Sequence, residues 1–249
     1  MTLFKKFFHA LELGQTRCVH CLRPFSPSAS VSSFQSPCAP PEAGALLCPD
    51  CEALFTPYSG PRCPLCGLPN TSTEALCGSC LQHPPPWDGL GYHGIYQGAL
   101  RDALLRLKFA GEISLAPLLG TYLHGAAANL PRPDALVAVP QHPAQLRKRG
   151  FNQAHELAKE LHNLCGVPLR PELLFRPRPH TPQSGLSASD RRRNMNNAFF
   201  AEYAATGLVL WLIDDIMTTG VTLSASVKAL RNVGAQKVHV LFVARTPLT

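Results

Sequence analysis

Residues 209–222 read Val-Leu-Trp-Leu-Ile-Asp-Asp-Ile-Met-Thr-Thr-Gly-Val-Thr, and they decide the fold. Five bulky apolar residues, Val209 to Ile213, predict a strand buried on both faces, as found in the middle of a parallel sheet. The adjacent carboxylates Asp214 and Asp215 are expected to end it. Residues 223–230 then carry the apolar and alanine spacing of a helix that begins near Thr222. Strand, loop and helix in that order put Met217, Thr218, Thr219, Gly220, Val221 and Thr222 at a helix N-terminus. Backbone N–H groups converge on an anion there, Gly220 lets the chain approach closely, and the threonine hydroxyls add donors. The two carboxylates just before the loop suit ribose hydroxyls, directly or through a divalent metal, because a carboxylate accepts several hydrogen bonds. A phosphate at one end and diol acceptors at the other describe a ribose 5-phosphate.

At these residues the sequence resembles the type I phosphoribosyltransferases, whose signature is an apolar strand, two acidic residues and a Thr-Thr-Gly-x-Thr loop. The loop lacks the lysine of a P-loop and the spacing of a GxGxxG fingerprint. An ordinary strand-to-helix turn capped by Asp and Thr is the plain alternative, set against the coincidence of so many signature positions where open α/β sheets bind ligands. The resemblance implies a pocket for 5-phosphoribosyl 1-diphosphate and Mg²⁺. Asp214 and Asp215 would be its catalytic groups, and Met217 to Thr222 would hold the 5-phosphate.

A chain of 249 residues is long enough for one sizeable core and a small accessory domain. Its 23 Lys and Arg exceed 16 Asp and Glu, and the distribution matters more than the total. Residues 1–82 hold 5 basic and 5 acidic side chains, leaving 18 and 11 for residues 83–249, so the second part carries the excess. No apolar run approaches the roughly 18 residues that span a bilayer. The opening Met-Thr-Leu-Phe-Lys-Lys-Phe-Phe-His-Ala-Leu lacks the uninterrupted apolar core of a signal peptide. It reads as a short amphipathic helix with Phe4, Phe7, Phe8 and Leu11 on one side, and the expected location is cytoplasmic.

Ten cysteines in such a compartment need an explanation other than disulfides. Eight form four Cys-x-x-Cys knuckles: Cys18 and Cys21, Cys48 and Cys51, Cys63 and Cys66, Cys77 and Cys80. Two knuckles complete a tetrahedral Cys₄ zinc site, so four make two. Sequential pairing is preferred, with an interleaved arrangement left open. A redox Cys-x-x-Cys would be one motif beside a strand and a helix, whereas these four lie in loop-rich sequence. A closed Cys₄ shell leaves no place for substrate, which makes the sites scaffolding. Cys38 lies in a Pro- and Ser-rich insertion, and Cys165 follows a helical pattern that makes it core.

Pro-Pro-Pro-Trp at 84–87 marks a linker, dividing a zinc-ribbon region, 1–82, from a second domain, 83–249. Residues 98–109 predict an amphipathic helix whose basic face carries Arg101, Arg106 and Lys108, either solvated or turned to a ligand. A second helical stretch covers 115–130, and residues 134–139 form the next strand. The segment 140–152 after it is expected to be a loop in which Arg147, Lys148 and Arg149 make an anion site, a basic surface turn being the alternative. In a phosphoribosyltransferase the corresponding loop holds pyrophosphate. A helix follows at about 154–164. Residues 176–199, proline-rich and basic at Arg191, Arg192 and Arg193, are a candidate lid. From 145 to 193 ten Lys and Arg face four acids, an excess that serves pyrophosphate and single-stranded DNA equally. Aromatic residues for base stacking are sparse there, chiefly Phe151 and Phe175. A last strand at 238–244 closes the sheet.

The whole order resembles the ComF family of competence-associated proteins: Cys knuckles, Pro-Pro-Pro-Trp, Leu-Lys-Phe, Arg-Gly-Phe-Asn-Gln, Arg-Arg-Arg-Asn, then Asp-Asp-x-Met-Thr-Thr-Gly. It departs at Ile216-Met217, where Val-Val or Val-Ile is more usual, and in the lengthened first zinc loop. The resemblance implies an α/β, doubly wound and mainly parallel type I phosphoribosyltransferase-like fold behind a Cys-rich zinc ribbon. It also implies a role in handling single-stranded DNA in natural transformation, with DNA-uptake machinery proteins as partners and an unknown acceptor.

Overall fold

The computed structural model describes residues 16–26, 46–176 and 198–247. Its centre is a four-stranded, all-parallel sheet of β1 (Gly89–Ile95), β2 (Ala135–Ala138), β3 (Val209–Met217) and β4 (Lys237–Arg245), in the spatial order β1-β4-β3-β2. Leu210 to Ile213 of β3 and Val238 to Ala244 of β4 are buried without a break. Alternation sends successive side chains to opposite faces, so unbroken burial requires cover on both. Helices α2 (Ala116–Ala126) and α4 (Gln153–Cys165) pack side by side over one face, and α5 (Val221–Asn232) covers the other, giving the doubly wound arrangement expected.

Local chemistry sets these elements. In α4 the residues Ala154, Leu157, Ala158, Leu161 and Cys165 share one buried stripe at helical spacing. Its ends are fixed by the Asn152 side chain, which accepts from the Ala154 N–H at 3.1 Å, and by Gly166 at φ 67°. A Cβ on Gly120 of α2 would stand 2.4 Å from Glu160 Cβ, so only glycine lets the two helices approach as they do.

The structure departs from the sequence expectations in several places. β3 does not stop at the carboxylates: it pairs with β4 through Asp214↔Phe242, Ile216↔Ala244 and Met217↔Arg245, because a long partner strand offers ladder bonds past the apolar run. The segment 140–152 is not a loop throughout. It contains a helix, Pro143–Arg149 (α3), begun by Pro143 at its first turn with the His142 ring accepting from the Ala144 N–H, and ended by Gly150 at φ 80°. The expected helix at 98–109 is α-helical over Gly98–Leu105 (α1) and then widens into a π turn, Arg106–Ala110. The amphipathic N-terminal stretch, Cys38, and Arg191 to Arg193 with most of the candidate lid lie outside the described residues. The residues flanking that lid pair as an antiparallel ladder, Leu174–Phe175 against Phe200–Ala201.

Candidate functional site

The cysteines gather into two groups, Cys18, Cys21, Cys48 and Cys51, and Cys63, Cys66, Cys77 and Cys80, with all sulfurs in a group within 4.8 Å of one another. The pairing is therefore sequential. Sulfur atoms 2.3 Å from a tetrahedral zinc lie about 3.8 Å apart. Cys21 and Cys48 are 3.7 Å apart, and Cys66 and Cys77 are 3.6 Å apart, so the donor sets fit the metal. Desolvation alone would raise the Cys18 thiol, but backbone N–H groups from Cys21, Cys48 and His20 bring it down to about 6. At Cys63 burial is again outweighed by backbone donors, with a value of about 7. Cys18 and Cys63 are thereby ready thiolate ligands, whereas burial and then the neighbouring cysteines push the Cys51, Cys66 and Cys80 thiols up in the metal-free groups; the eight sulfurs fit two structural zinc ions.

The loop between β3 and α5 forms a concavity of about 40 Å³ lined by Asp214 and by residues 216–223. Gly220 sits at φ 77°, in the left-handed region, and brings the N–H groups that open α5 round toward that space. A Cβ there would press on Met217 Cε at 3.1 Å and on the Trp87 ring at 3.2 Å. Met217 is buried beneath the loop and contributes shape, whereas Thr218, Thr219, Val221 and Thr222 are exposed at it.

The two carboxylates have different surroundings. Asp214 lines the loop concavity, and its Oδ1 accepts from the Asp215 N–H at 2.9 Å. Desolvation, and next the like charge of Asp215, push its carboxyl well above the usual carboxylate range. Asp215 is 8 % exposed, and its Oδ2 lies 3.5 Å from Lys108 Nζ. Lys108 belongs to the π turn after α1, so the basic face of that segment does meet the site. Gln153, 1 % exposed, donates to the Lys108 carbonyl at 3.4 Å and accepts from Arg149 Nη1 at 3.5 Å and from Gln141 Nε2.

Arg149 thus joins the acidic pair through Gln153, and its guanidinium lies over Phe109, 5.3 Å from the ring centre. Arg147 and Lys148 are exposed on the last turn of α3 and make no ion pair among the described residues. The sequence reading did not single out Gln153. Its signal was its place as the last residue of the Arg-Gly-Phe-Asn-Gln stretch, which carried no role for the glutamine itself.

The zinc region and the loop are physically tied. Arg245 ends β4, is 2 % exposed, and donates from Nε to the Cys66 carbonyl at 2.9 Å and from Nη1 to Met217 and Thr246 carbonyls at 2.9 and 2.7 Å, and to that of Thr218. Trp87 Nε1 donates to the Leu65 carbonyl at 2.7 Å, while its ring underlies Gly220.

No family model matches the chain. Among curated proteins it is 36% identical over 190 residues to the DNA utilization protein YhgH of Escherichia coli K12, covering 74% of this chain and 84% of that one. It is 31% identical over 208 residues to Competence protein F of Haemophilus influenzae, covering 80% and 90%. Among solved structures, the allosteric regulatory enzyme of purine biosynthesis aligns with a TM-score of 0.40 at 21% identity, over 53% of this chain and 26% of that one. Among the described residues no helix is long and apolar enough to cross a membrane.

Proposed function

The chain belongs to the ComF family of competence-associated, phosphoribosyltransferase-like proteins, and from that premise we propose that it binds 5-phosphoribosyl 1-diphosphate with Mg²⁺. The observation that carries this reading is the concavity at the start of α5, where Asp214 and the Thr218–Thr222 segment line one small space. Thr218, Thr219, Gly220 and Thr222 hold the 5-phosphate through backbone N–H groups and hydroxyls. Asp214 and Asp215 accept from the ribose hydroxyls and face the positive charge that develops at C1′ as its bond to pyrophosphate lengthens. Mg²⁺, when bound, neutralises the diphosphate. In the reaction an acceptor nucleophile bonds to C1′ while the C1′–O bond breaks with its electrons leaving on pyrophosphate. Arg149 stabilises that leaving group, with Arg147, Lys148 and the Arg191 to Arg193 cluster as further cations. The acceptor belongs to DNA handling in transformation, in the cytoplasm, where thiolate zinc sites persist.

Calorimetric titration with 5-phosphoribosyl 1-diphosphate, with and without Mg²⁺, tests the reading. Magnesium-dependent binding is expected in the parent and its loss in Asp215→Asn. A variant that binds and releases pyrophosphate like the parent removes Asp215 from the site.

A second reading is a non-catalytic module for single-stranded DNA on the same fold. It is favoured by Phe109, 68 % exposed beneath the Arg149 guanidinium, a pair suited to a stacked base and its phosphate. Affinity for an oligonucleotide should then fall steeply between low and physiological salt. A salt-independent affinity would rule it out.

A further inference from the structure

Between the second Cys₄ group and the outer side of α5 lies a cleft of about 400 Å³, a volume in the range of small-ligand sites. One wall is apolar, made of Leu68, the Pro84–Pro86 run and Trp87. The other carries the hydroxyls of Ser79, Thr219 and Ser224 with Lys228 and Arg245, and no acidic side chain lines the cleft. Ser224 and Lys228 are one helical turn apart on α5 and so share a face. Neither Lys228 nor Arg245 has a carboxylate partner among the described residues.

Arg245 makes this more than a basic hollow. Its Nε and Nη1 are fully engaged by carbonyls, which fixes the plane of the guanidinium. Beyond those carbonyls the guanidinium meets the Cys66 side chain, and although only 2 % exposed it lines the cleft. A buried cation is costly unless anions meet it. The thiolates of the second cluster supply negative charge on the Cys66 side of the guanidinium. Cys66 and Cys80 line the cleft on that side, whereas on its Ser224 and Lys228 side no anionic group lines it.

We propose that this cleft is a nucleotide site, with a phosphate held between the Arg245 guanidinium, Lys228 Nζ and the Ser224 hydroxyl and the base laid on the Pro84–Trp87 wall. An inorganic anion would leave that apolar wall unused, and an apolar ligand would leave the two cations unmet. Thr219 and Met217 border both the cleft and the loop concavity, so the two sites adjoin. If the loop takes a phosphate, as proposed above, the pair of sites accommodates consecutive phosphates of one strand. A free nucleotide satisfies the cleft alone.

The test is calorimetry on the zinc-loaded full chain with deoxyadenosine 5′-monophosphate and with a 5′-phosphorylated tetranucleotide, in the parent, Lys228→Glu and Ser79→Trp. Lys228→Glu reverses the charge, and Ser79→Trp fills the cleft from an exposed position. Saturable binding by the parent is expected, weakened about tenfold or more in each variant. Affinity for 5-phosphoribosyl 1-diphosphate should stay within about twofold, and Asp215→Asn should keep its nucleotide affinity. A tetranucleotide that binds more tightly than the mononucleotide and competes with 5-phosphoribosyl 1-diphosphate identifies a strand as the ligand. Equal affinities without competition identify a free nucleotide. Absence of saturable binding, affinity unmoved in both variants, or loss of both ligands together in Lys228→Glu overturns the proposal. A chain that ignores 5-phosphoribosyl 1-diphosphate yet binds nucleotide through Lys228 keeps the cleft and loses the loop reading.

Discussion

At the scale of single residues, the acidic pair shows how one dipeptide is divided by its surroundings. Strand alternation turns Asp214 toward the loop concavity and Asp215 toward Lys108, so one carboxylate has a cation in reach and the other a desolvated pocket. The Asp214 carboxyl, pushed up by burial and then by Asp215, binds its proton more tightly in the folded than in the unfolded chain. Its contribution is therefore fully present below the unfolded value near 3.8, and is lost as pH rises through the higher folded value. At neutral pH the desolvated carboxyl therefore weighs against folding relative to pH 4. Asp214→Asn should accordingly raise the melting temperature of the ligand-free protein by a few degrees at pH 7, with the gain shrinking toward pH 4, while it abolishes binding of 5-phosphoribosyl 1-diphosphate. Melting curves across that range check it, and an unchanged or lowered midpoint at pH 7 would show that the carboxylate is not strained in the apo protein. The sequence led to the expectation that both acids face one ligand. It did not disclose their division, because that depends on Lys108, a residue distant in sequence and delivered by a π turn that no periodicity announces.

At the scale of elements, the long apolar pieces were legible and the short polar ones were not. β3 and α5 were expected from the density of Val, Leu and Ile and from helical spacing, and they form with small shifts at their ends. α3 was missed although both of its end signals are present, Pro143 at the start and Gly150 at the end, because seven residues are too few for a buried stripe and none of them is buried. The consequence is functional: Arg147, Lys148 and Arg149 sit on a last helical turn, where their charge complements the helix dipole as well as any ligand. The following helix, α4, depends on Asn152 twice, since its Oδ1 caps the Ala154 N–H and its Nδ2 donates to the Val139 carbonyl at 3.0 Å. Asn152→Ala should cost about 1–2 kcal/mol of stability, measured by denaturant unfolding. It should also loosen Gln153, the next residue, and so weaken the link between Arg149 and Lys108. A loss confined to a few tenths of a kcal/mol would mean that the cap is replaced by water.

At the scale of the molecule, the zinc region is fastened to both halves of the candidate site, and the two clusters hold different halves. The first reaches the segment that carries Lys108: Arg106, paired with Glu112, donates from Nη1 to the His20 carbonyl at 2.7 Å. The second reaches the loop between β3 and α5 through Trp87 on Leu65 and Arg245 on Cys66. No sequence pattern announces this, since knuckle spacing specifies what binds a metal and not what leans on the knuckle. Because structural zinc contributes folding energy directly, losing it frees the carbonyls that orient these side chains. Metal analysis should find two zinc ions per chain. Cys63→Ser, which opens the second cluster, should weaken binding of 5-phosphoribosyl 1-diphosphate about tenfold or more, through the unfastened Met217 and Thr218 carbonyls. Cys18→Ser should spare the loop and act instead on Lys108 and its contact with Asp215. Titrating both variants at matched zinc content separates the two routes. Equal losses would mean that the zinc region behaves as one block, and no loss in Cys63→Ser would mean that Arg245 holds the loop without help from the metal.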